Sequence, residues 1–481
     1  MNWRLRISEC SARVFGLDVR SLAVFRVAVG GLLLADLWVR VSDLAAMYSD
    51  AGIAPVTLVR GLRGKGQWSL HLLSGAVAYQ AGLFLLAAAL AAALIVGYRT
   101  RLATIGSWIL LASLHVRLPV VLNAGDTLLR VLLFWSMFLP LGEAWSIDAR
   151  RRPSPAGRLV ATPATVAFVL QLAVVYWFAG LAKWNDAWLH GDALAQIFSF
   201  QFYGQPLGRY LLDFPGFTRW LSRGVVGLEL VGPLLLFVPC AMARIRTALV
   251  VVFIAFHLGI AATITVGLFP WVGIAAWLAL VPPQTWNRLS RAPAPTPKFT
   301  DNKLAAVGFA AAMAMVLCWN VITLGNARAA SWVSRLANVT MLRQSWDVFA
   351  TPARFDAQFV YQGRLKDGRL VDLVTNAPLT GGADDGLKPR QLPNHRWRKL
   401  HLWITRPAFA AYRQPLADYV CRHWNEEHSG DEQAVRLDLY CLRRRLEPGR
   451  AAGDYVRNNL ARVVVSDEGG NFAEALRELG P

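Results

Sequence analysis

Apolar runs of ~20 residues recur along the first two thirds of the chain, and each is long enough to cross a bilayer as a helix. No other feature limits the fold so strongly. Backbone inside hydrocarbon must satisfy its own N–H and C=O groups, so the spanning element is a helix. With 55% hydrophobic residues and a mean hydropathy of +0.36, the 481-residue chain reads as a polytopic membrane protein. The first twenty residues carry Arg4, Arg6, Arg13 and Arg20 but no separate apolar core or cleavage site. The first span itself is therefore expected to target the chain.

About nine transmembrane helices are expected: Leu22–Trp38, Leu72–Val96, Leu102–Leu114, Thr127–Leu141, Val160–Ala182, Val225–Val238, Ala248–Val266, Val272–Val281 and Leu304–Leu324. Pro119 should break the chain between the third and fourth, and Leu268-Phe269-Pro270-Trp271 reads as a short turn between the seventh and eighth. The aromatic-rich stretch up to Arg223 lacks an uninterrupted apolar run, so it should lie along the interface or roof a cavity. Five segments are basic: the N-terminus, Arg99/Arg101, Arg150–Arg158, Arg244/Arg246 and Arg288–Lys303. Nine spans put all five on one side, which the positive-inside rule makes cytoplasmic, and an odd count then puts the C-terminal tail outside. The net charge of +19 is explained the same way. Its residues fall in short loops and not in one patch, which argues against nucleic acid as a partner.

The expected division is a bundle over residues 1–328 and a small soluble α+β domain over 329–481. In the tail, Gln358–Val374 reads as two strands about a Lys366-Asp367-Gly368 turn. Leu416–His428 reads as a helix, and the alternation of Val435, Leu437, Leu439 and Cys441 as a strand. Outside the cytoplasm, a disulfide between Cys421 and Cys441 is plausible. No CxxC occurs, and His423 and His428 fall on different faces of a helix, so no metal site is expected.

Polar groups inside spans are costly and tend to be functional. Arg26 and Asp36 lie ten residues apart, ~15 Å along a helix, so they cannot pair. Arg26 then needs a partner on another helix or a water-filled cavity, and Asp36 can sit near the outer interface. Asp126 and Arg130 are i,i+4 neighbours that can pair. Glu229, close to Pro233, can bond freed backbone groups or pair with Arg26 or Arg130. His257, in mid-span, is either a hydrogen-bonded interior histidine or a catalytic one.

Lys183 stands at the foot of the fifth span, in VVYWFAGLAKWNDAWLHG from Val174 to Gly191. Two readings are open. The ammonium can snorkel to the headgroups, or burial can lower its pKa far enough to make a base near neutrality. Phe178-Ala179-Gly180-Leu181-Ala182-Lys183, followed by Asn185, Trp188 and Gly191, resembles the signature of the vitamin K-dependent gamma-carboxylase superfamily, whose bacterial members are HTTM-domain proteins. Phe25-Arg26, Asn123-Ala124-Gly125-Asp126 and Phe256-His257 are similar to further marks of the family. The resemblance covers roughly the first 300 residues.

It implies a membrane enzyme of the bacterial inner membrane that uses a reduced, vitamin K-like quinone and acts on a secreted peptide or protein. Lys183 would be the base that deprotonates the quinol. His257 and Asn123 would be catalytic positioning groups, while Arg26, Asp126, Arg130 and Glu229 are candidates for cofactor binding. The chain departs from the carboxylases at Ala182, where they carry a second lysine, and at Gly125 and Asp126, where they carry a histidine. Its tail is also much shorter than their luminal region. Two other roles fit these residues: a non-catalytic membrane factor for maturation or export of a secreted partner, and, third, a transporter, although no inverted repeat is evident.

Overall fold

The computed structural model describes residues 11–151, 159–200, 202–239, 241–290, 299, 302–352, 355–380, 393–445 and 456–465. Arg4, Arg6, Cys10, Arg152, Arg158 and Cys240 lie outside them, as does most of the Trp286–Lys303 loop.

The helices that build the bundle are α1 (Val19–Val41), α2 (Val77–Val96), α3 (Thr100–Arg117), α4 (Ala124–Ser136), α5 (Pro163–Ala182), α6 (Pro215–Val231), α7 (Met242–Thr263), α8 (Phe269–Leu278) and α9 (Lys303–Leu324). Among the described residues, six helices are long and apolar enough to cross a membrane: α1, α2, α5, α6 with its 3-10 continuation to Phe237, α7 and α9. The third, fourth and eighth expected spans are present as helices, but α3 is more polar and α4 and α8 are shorter.

Local chemistry sets the boundaries. Asp18 caps α1, and Gly97 ends α2 in the left-handed region at φ 69°. Thr162 and Thr165 form a capping box ahead of α5, with Pro163 in its first turn. Pro119 does stop α3: a 3-10 turn, Pro119–Val121, follows, and Asn123 with Asp126 forms a capping box that starts α4. Two boundaries differ from expectation. Pro215 opens α6 ten residues before the expected sixth span, and Pro270 lies in the first turn of α8 instead of in a turn between helices. Both follow from proline's compatibility with a first helical turn, where its missing N–H has no intrahelical acceptor.

Helix α5 is central. Its most apolar stretch is 72% buried, against 22% for α2 and α9, and it packs on α4, α6 and α9. The described parts of the basic segments meet at one end of the bundle. Leu17–Asp18 pairs with Leu159–Val160, the Arg99 and Thr100 amides donate to Asp148, Arg246 donates to the carbonyls of Val14 and Gly16, and Arg20 reaches Asn287.

The tail packs on the other end. Its antiparallel sheet is formed by β1 (Phe355–Leu365), β2 (Leu370–Asp372), β3 (Ala377–Pro378), β4 (Ala434–Arg445) and β5 (Val456–Val464), in the order β3-β2-β1-β4-β5. Helices α10 (His395–Ile404) and α11 (Arg413–Glu427) cover one face. The β1–β2 hairpin turns at Gly368, φ 87°, with Asp367 accepting from the Arg369 amide. Ala357, Phe359 and Tyr361 alternate onto the helix-covered face beside Leu437, Leu439 and Cys441, and their core is continuous with Tyr48, Leu118 and Val121 of the bundle.

The link between the two parts is itself threaded into the bundle. Gln171 of α5 accepts from Trp135 and donates to Gln344, whose side-chain oxygen also accepts from Trp346. Arg130 donates to the carbonyls of Met341 and Arg343. It therefore does not pair with Asp126.

Asp126 instead joins three other buried charged groups, Asp36, Arg40 and Arg396. Arg40 donates to Asp36 at 2.8 Å and to Asp126 at 2.9 Å. Arg396 of the tail donates to Asp126 at 2.7 Å and to Asp36. Asp36, expected at an interface, is 2% exposed, because α10 covers that end of α1. Two carboxylates and two guanidiniums cancel in charge, which is what allows them to be buried.

Cys421 and Cys441 are both free thiols, so the plausible disulfide does not form. They lie in the core between α11 and β4 and act there as small apolar groups. Burial pushes both thiols up to about 11. Reductant should leave the unfolding temperature of the native protein unchanged, and polar maleimides should label neither residue before denaturation. Arg396→Leu leaves two buried carboxylates facing one guanidinium. It should lower stability by about 3–5 kcal/mol, seen as a lower unfolding temperature in detergent and earlier proteolytic release of the tail.

Candidate functional site: a buried lysine–glutamate pair in an apolar chamber

Lys183 is the residue that ends α5, its amide bonded back to the carbonyls of Ala179 and Gly180. The side chain does not snorkel. Its Nζ lies 3.0 and 2.9 Å from the two oxygens of Glu229, and both side chains are 6% exposed. The indole of Trp188 lies 5.4 Å from the ammonium, close enough for a cation–π contact. Glu229 is brought there by α6. At Gly180 the two helices come so close that a Cβ would sit 2.9 Å from Leu230 and 3.2 Å from the Glu229 Cβ. The absence of a side chain at 180 is what lets the carboxylate reach the amine. Glu229 thus pairs with neither Arg26 nor Arg130.

The pair opens on a chamber of about 80 Å³ whose other walls include Tyr176, Phe256, Phe269, Trp346 and Phe349. Tyr176 connects it to His257: the hydroxyl lies 2.7 Å from His257 Nε2 and accepts from Trp277 Nε1 at 2.7 Å. With Trp277 donating to that oxygen, its proton is available to His257. His257 Nδ1 is buried with no partner among the described residues. Helix α8 runs against the ring, and a Cβ at Gly273 would fall 2.2 Å from it. His257 is thus a hydrogen-bonded interior group one residue removed from the chamber, joined to it by Tyr176.

A second chamber, of about 420 Å³, adjoins the first. Ile197, Val266, Phe269, Val348 and Phe349 line both. The larger one is walled by Asn123 and Thr127 from the bundle and by His395, Arg398, Lys399 and Arg406 from the tail. Phe200 and Tyr203, from the aromatic stretch expected at an interface or over a cavity, also line it. Asn123 caps α4 through its side chain, accepting from Gly125 and Asp126.

Three other candidates lie elsewhere. Arg26 is at the basic end of the bundle, where it donates to the Trp145 carbonyl at 2.7 Å. Asp126 belongs to the charged quartet, and Arg130 holds the irregular segment 341–343 and lies 3.2 Å from His115 Nδ1. None of the three borders either chamber. Among the described residues no group of three or more His, Cys, Asp or Glu side chains could hold a metal. His423 sits beside Glu426 and Glu427, and His428 stacks on Trp424.

Sequence reasoning passed over Tyr176, which precedes Lys183 by seven residues, two helical turns along the same face. It also passed over the basic run in His395–Lys399 following the Asn394 cap.

Tyr176→Phe strands the Trp277 N–H and the His257 nitrogen in a dry core. The expected loss is about 1–3 kcal/mol for each unsatisfied group, measured by thermal unfolding in detergent, with a smaller loss in Tyr176→Phe/Trp277→Phe.

Comparison with curated proteins and with solved structures gave no match. Comparison with family models gave one, the HTTM domain, over residues 16–286. That stretch runs from just before the Leu17–Asp18 strand into the short helix Pro283–Ser290 after α8 and contains the lysine–glutamate pair with its helices. The chain belongs to the HTTM-domain family.

Proposed function

We propose that this protein is a membrane enzyme that withdraws a proton from a flat, amphipathic, quinol-like or lipid-like molecule, with Lys183 as base and Glu229 as its proton partner. The observation that carries the reading is a charged pair at 2.9 Å forming part of an apolar chamber wall.

A lysine already ion-paired cannot accept a proton by itself. The pair acts as one unit, because the amine and the carboxylate are in direct hydrogen-bond contact and a proton can pass between them. When the ammonium passes a proton to the carboxylate, the freed amine can take one from a bound hydroxyl. The ligand's O–H bond breaks, the pair becomes an ammonium beside a carboxylic acid, and its new positive charge faces the anion just formed. In a dry chamber that attraction is far stronger than in water. Tyr176, Phe256, Phe269 and Phe349 suit the faces of an aromatic ring. A reduced quinone would supply both an acidic hydroxyl and reducing equivalents for oxygen. The family membership supports a site of the gamma-carboxylase type.

In this reading the basic end of the bundle is cytoplasmic, as the positive-inside rule favours, and the tail with both chambers faces the outside of a bacterial inner membrane. A secreted peptide or protein would approach from there. The alternative role, a non-catalytic factor for maturation or export, predicts function without the amine.

The test uses protein in lipid nanodiscs with a reduced short-chain naphthoquinone and oxygen, following quinol consumption. Lys183→Met should lower the rate by about 100-fold or more, the usual scale of general-base catalysis. It also leaves Glu229 buried and unpaired, which costs about 3–5 kcal/mol. Lys183→Met/Glu229→Leu removes both charges, and should stay folded and inactive. A double variant as fast as wild type sinks the assignment.

A further inference from the structure

The larger chamber has a polarity that proton withdrawal at Lys183 does not use. Its tail wall presents Arg398, Lys399 and Arg406. Asp347, bonded by Ser345 at 2.8 Å, is the one carboxylate among the lining residues. Lys399 and Arg406 flank the Trp403 ring, 4.7 and 4.1 Å from its centroid, and neither forms an ion pair among the described residues. Trp403 holds both side chains in place by cation–π contact without neutralising them. Arg398 gives one N–H to the Phe202 carbonyl at 2.6 Å.

His395, also in the lining, has a buried Nε2 with no partner among the described residues. The other chamber, across the shared wall of Ile197, Val266, Phe269, Val348 and Phe349, is apolar apart from Lys183 and Glu229 and the hydroxyl of Tyr176. One molecule spanning both would be charged at one end and apolar at the other.

We propose that the larger chamber seats a phosphate or carboxylate head group, held by Lys399, Arg398 and Arg406, on a molecule whose apolar part reaches Lys183. The proposal deepens the reading of Lys183 as the reacting group, and it names the substrate class: an anionic amphipath. Charge-assisted hydrogen bonds from arginine and lysine are the strong contacts for such a head. His395 adds a neutral nitrogen, since burial and then Arg396 pull its pKa down to about 4. Burial, then Arg406, likewise pull Lys399 down to about 8, against the opposing pull of Asp126 and Asp347. An anion beside Lys399 therefore favours the cationic form that burial penalises.

The experiment measures binding, so it is separate from turnover. Full-length protein in phosphatidylcholine nanodiscs is titrated with dodecyl phosphate, dodecanol and inorganic phosphate. Dodecyl phosphate should bind more tightly than dodecanol. Lys399→Gln/Arg406→Gln should weaken dodecyl phosphate by about tenfold or more, leaving dodecanol and the unfolding temperature unchanged. Displacement of dodecyl phosphate by inorganic phosphate supports the site with a free anion as the source; binding without displacement supports it with a lipid as the source. Equal binding of dodecyl phosphate and dodecanol, or an unaffected double variant, overturns the proposal. That failure would leave the Lys183 reading standing, and turnover independent of Lys183 would leave the anion site standing.

Discussion

Four charges that cancel inside the protein hold the architecture together. Asp36 and Arg40 come from one helix, Asp126 from the capping box of another, and Arg396 from the tail. Buried ion pairs often add little net stability over apolar packing, because desolvation offsets the attraction. Their role here is registry. Only one docking of α10 on the bundle places Arg396 between the two carboxylates, and a slipped docking would leave charges unpaired. The walls of the larger chamber depend on that docking, since His395, Arg398 and Lys399 sit on the same helix as Arg396.

The lysine–glutamate pair obeys a different constraint. Lys183 and Glu229 are 46 residues apart and meet because α5 and α6 touch at Gly180. Charge in this molecule is thus gathered toward the two ends of the bundle. The basic end holds Arg20, Arg26 and Arg246 on backbone or side-chain acceptors, and the other end, where α5 closes at Lys183, holds the lysine–glutamate pair, the quartet and the cations of the larger chamber. The smaller chamber there has mostly apolar walls and the larger one has cationic walls.

Much of this was legible in the sequence, for identifiable reasons. Hydrophobic runs located the bundle, turn chemistry located the β1–β2 hairpin, and Pro119 marked a real break. The lysine stretch was recognisable because its residues are contiguous. Its partner was not. Glu229 could be matched with Arg26 or Arg130 on charge alone, and only the packing of α5 on α6 selects Lys183. The Asp126–Arg130 pairing failed for a related reason: i,i+4 spacing permits contact but does not outweigh two guanidiniums arriving from other elements. The short helices α4 and α8 look like spans by composition, yet 13 and 10 residues are too few to cross ~30 Å of hydrocarbon.

The segment from Met341 to Phe349 belongs in sequence to the tail, yet Gln344 is bonded to the central helix and Trp346, Val348 and Phe349 wall the chamber beside Lys183. The family match ends at 286, well before it. The shared domain and the appended one are therefore not separable modules. A residue exchanged between 346 and 349 therefore alters the wall beside Lys183, so the tail helps to set the shape of a chamber otherwise built by the bundle.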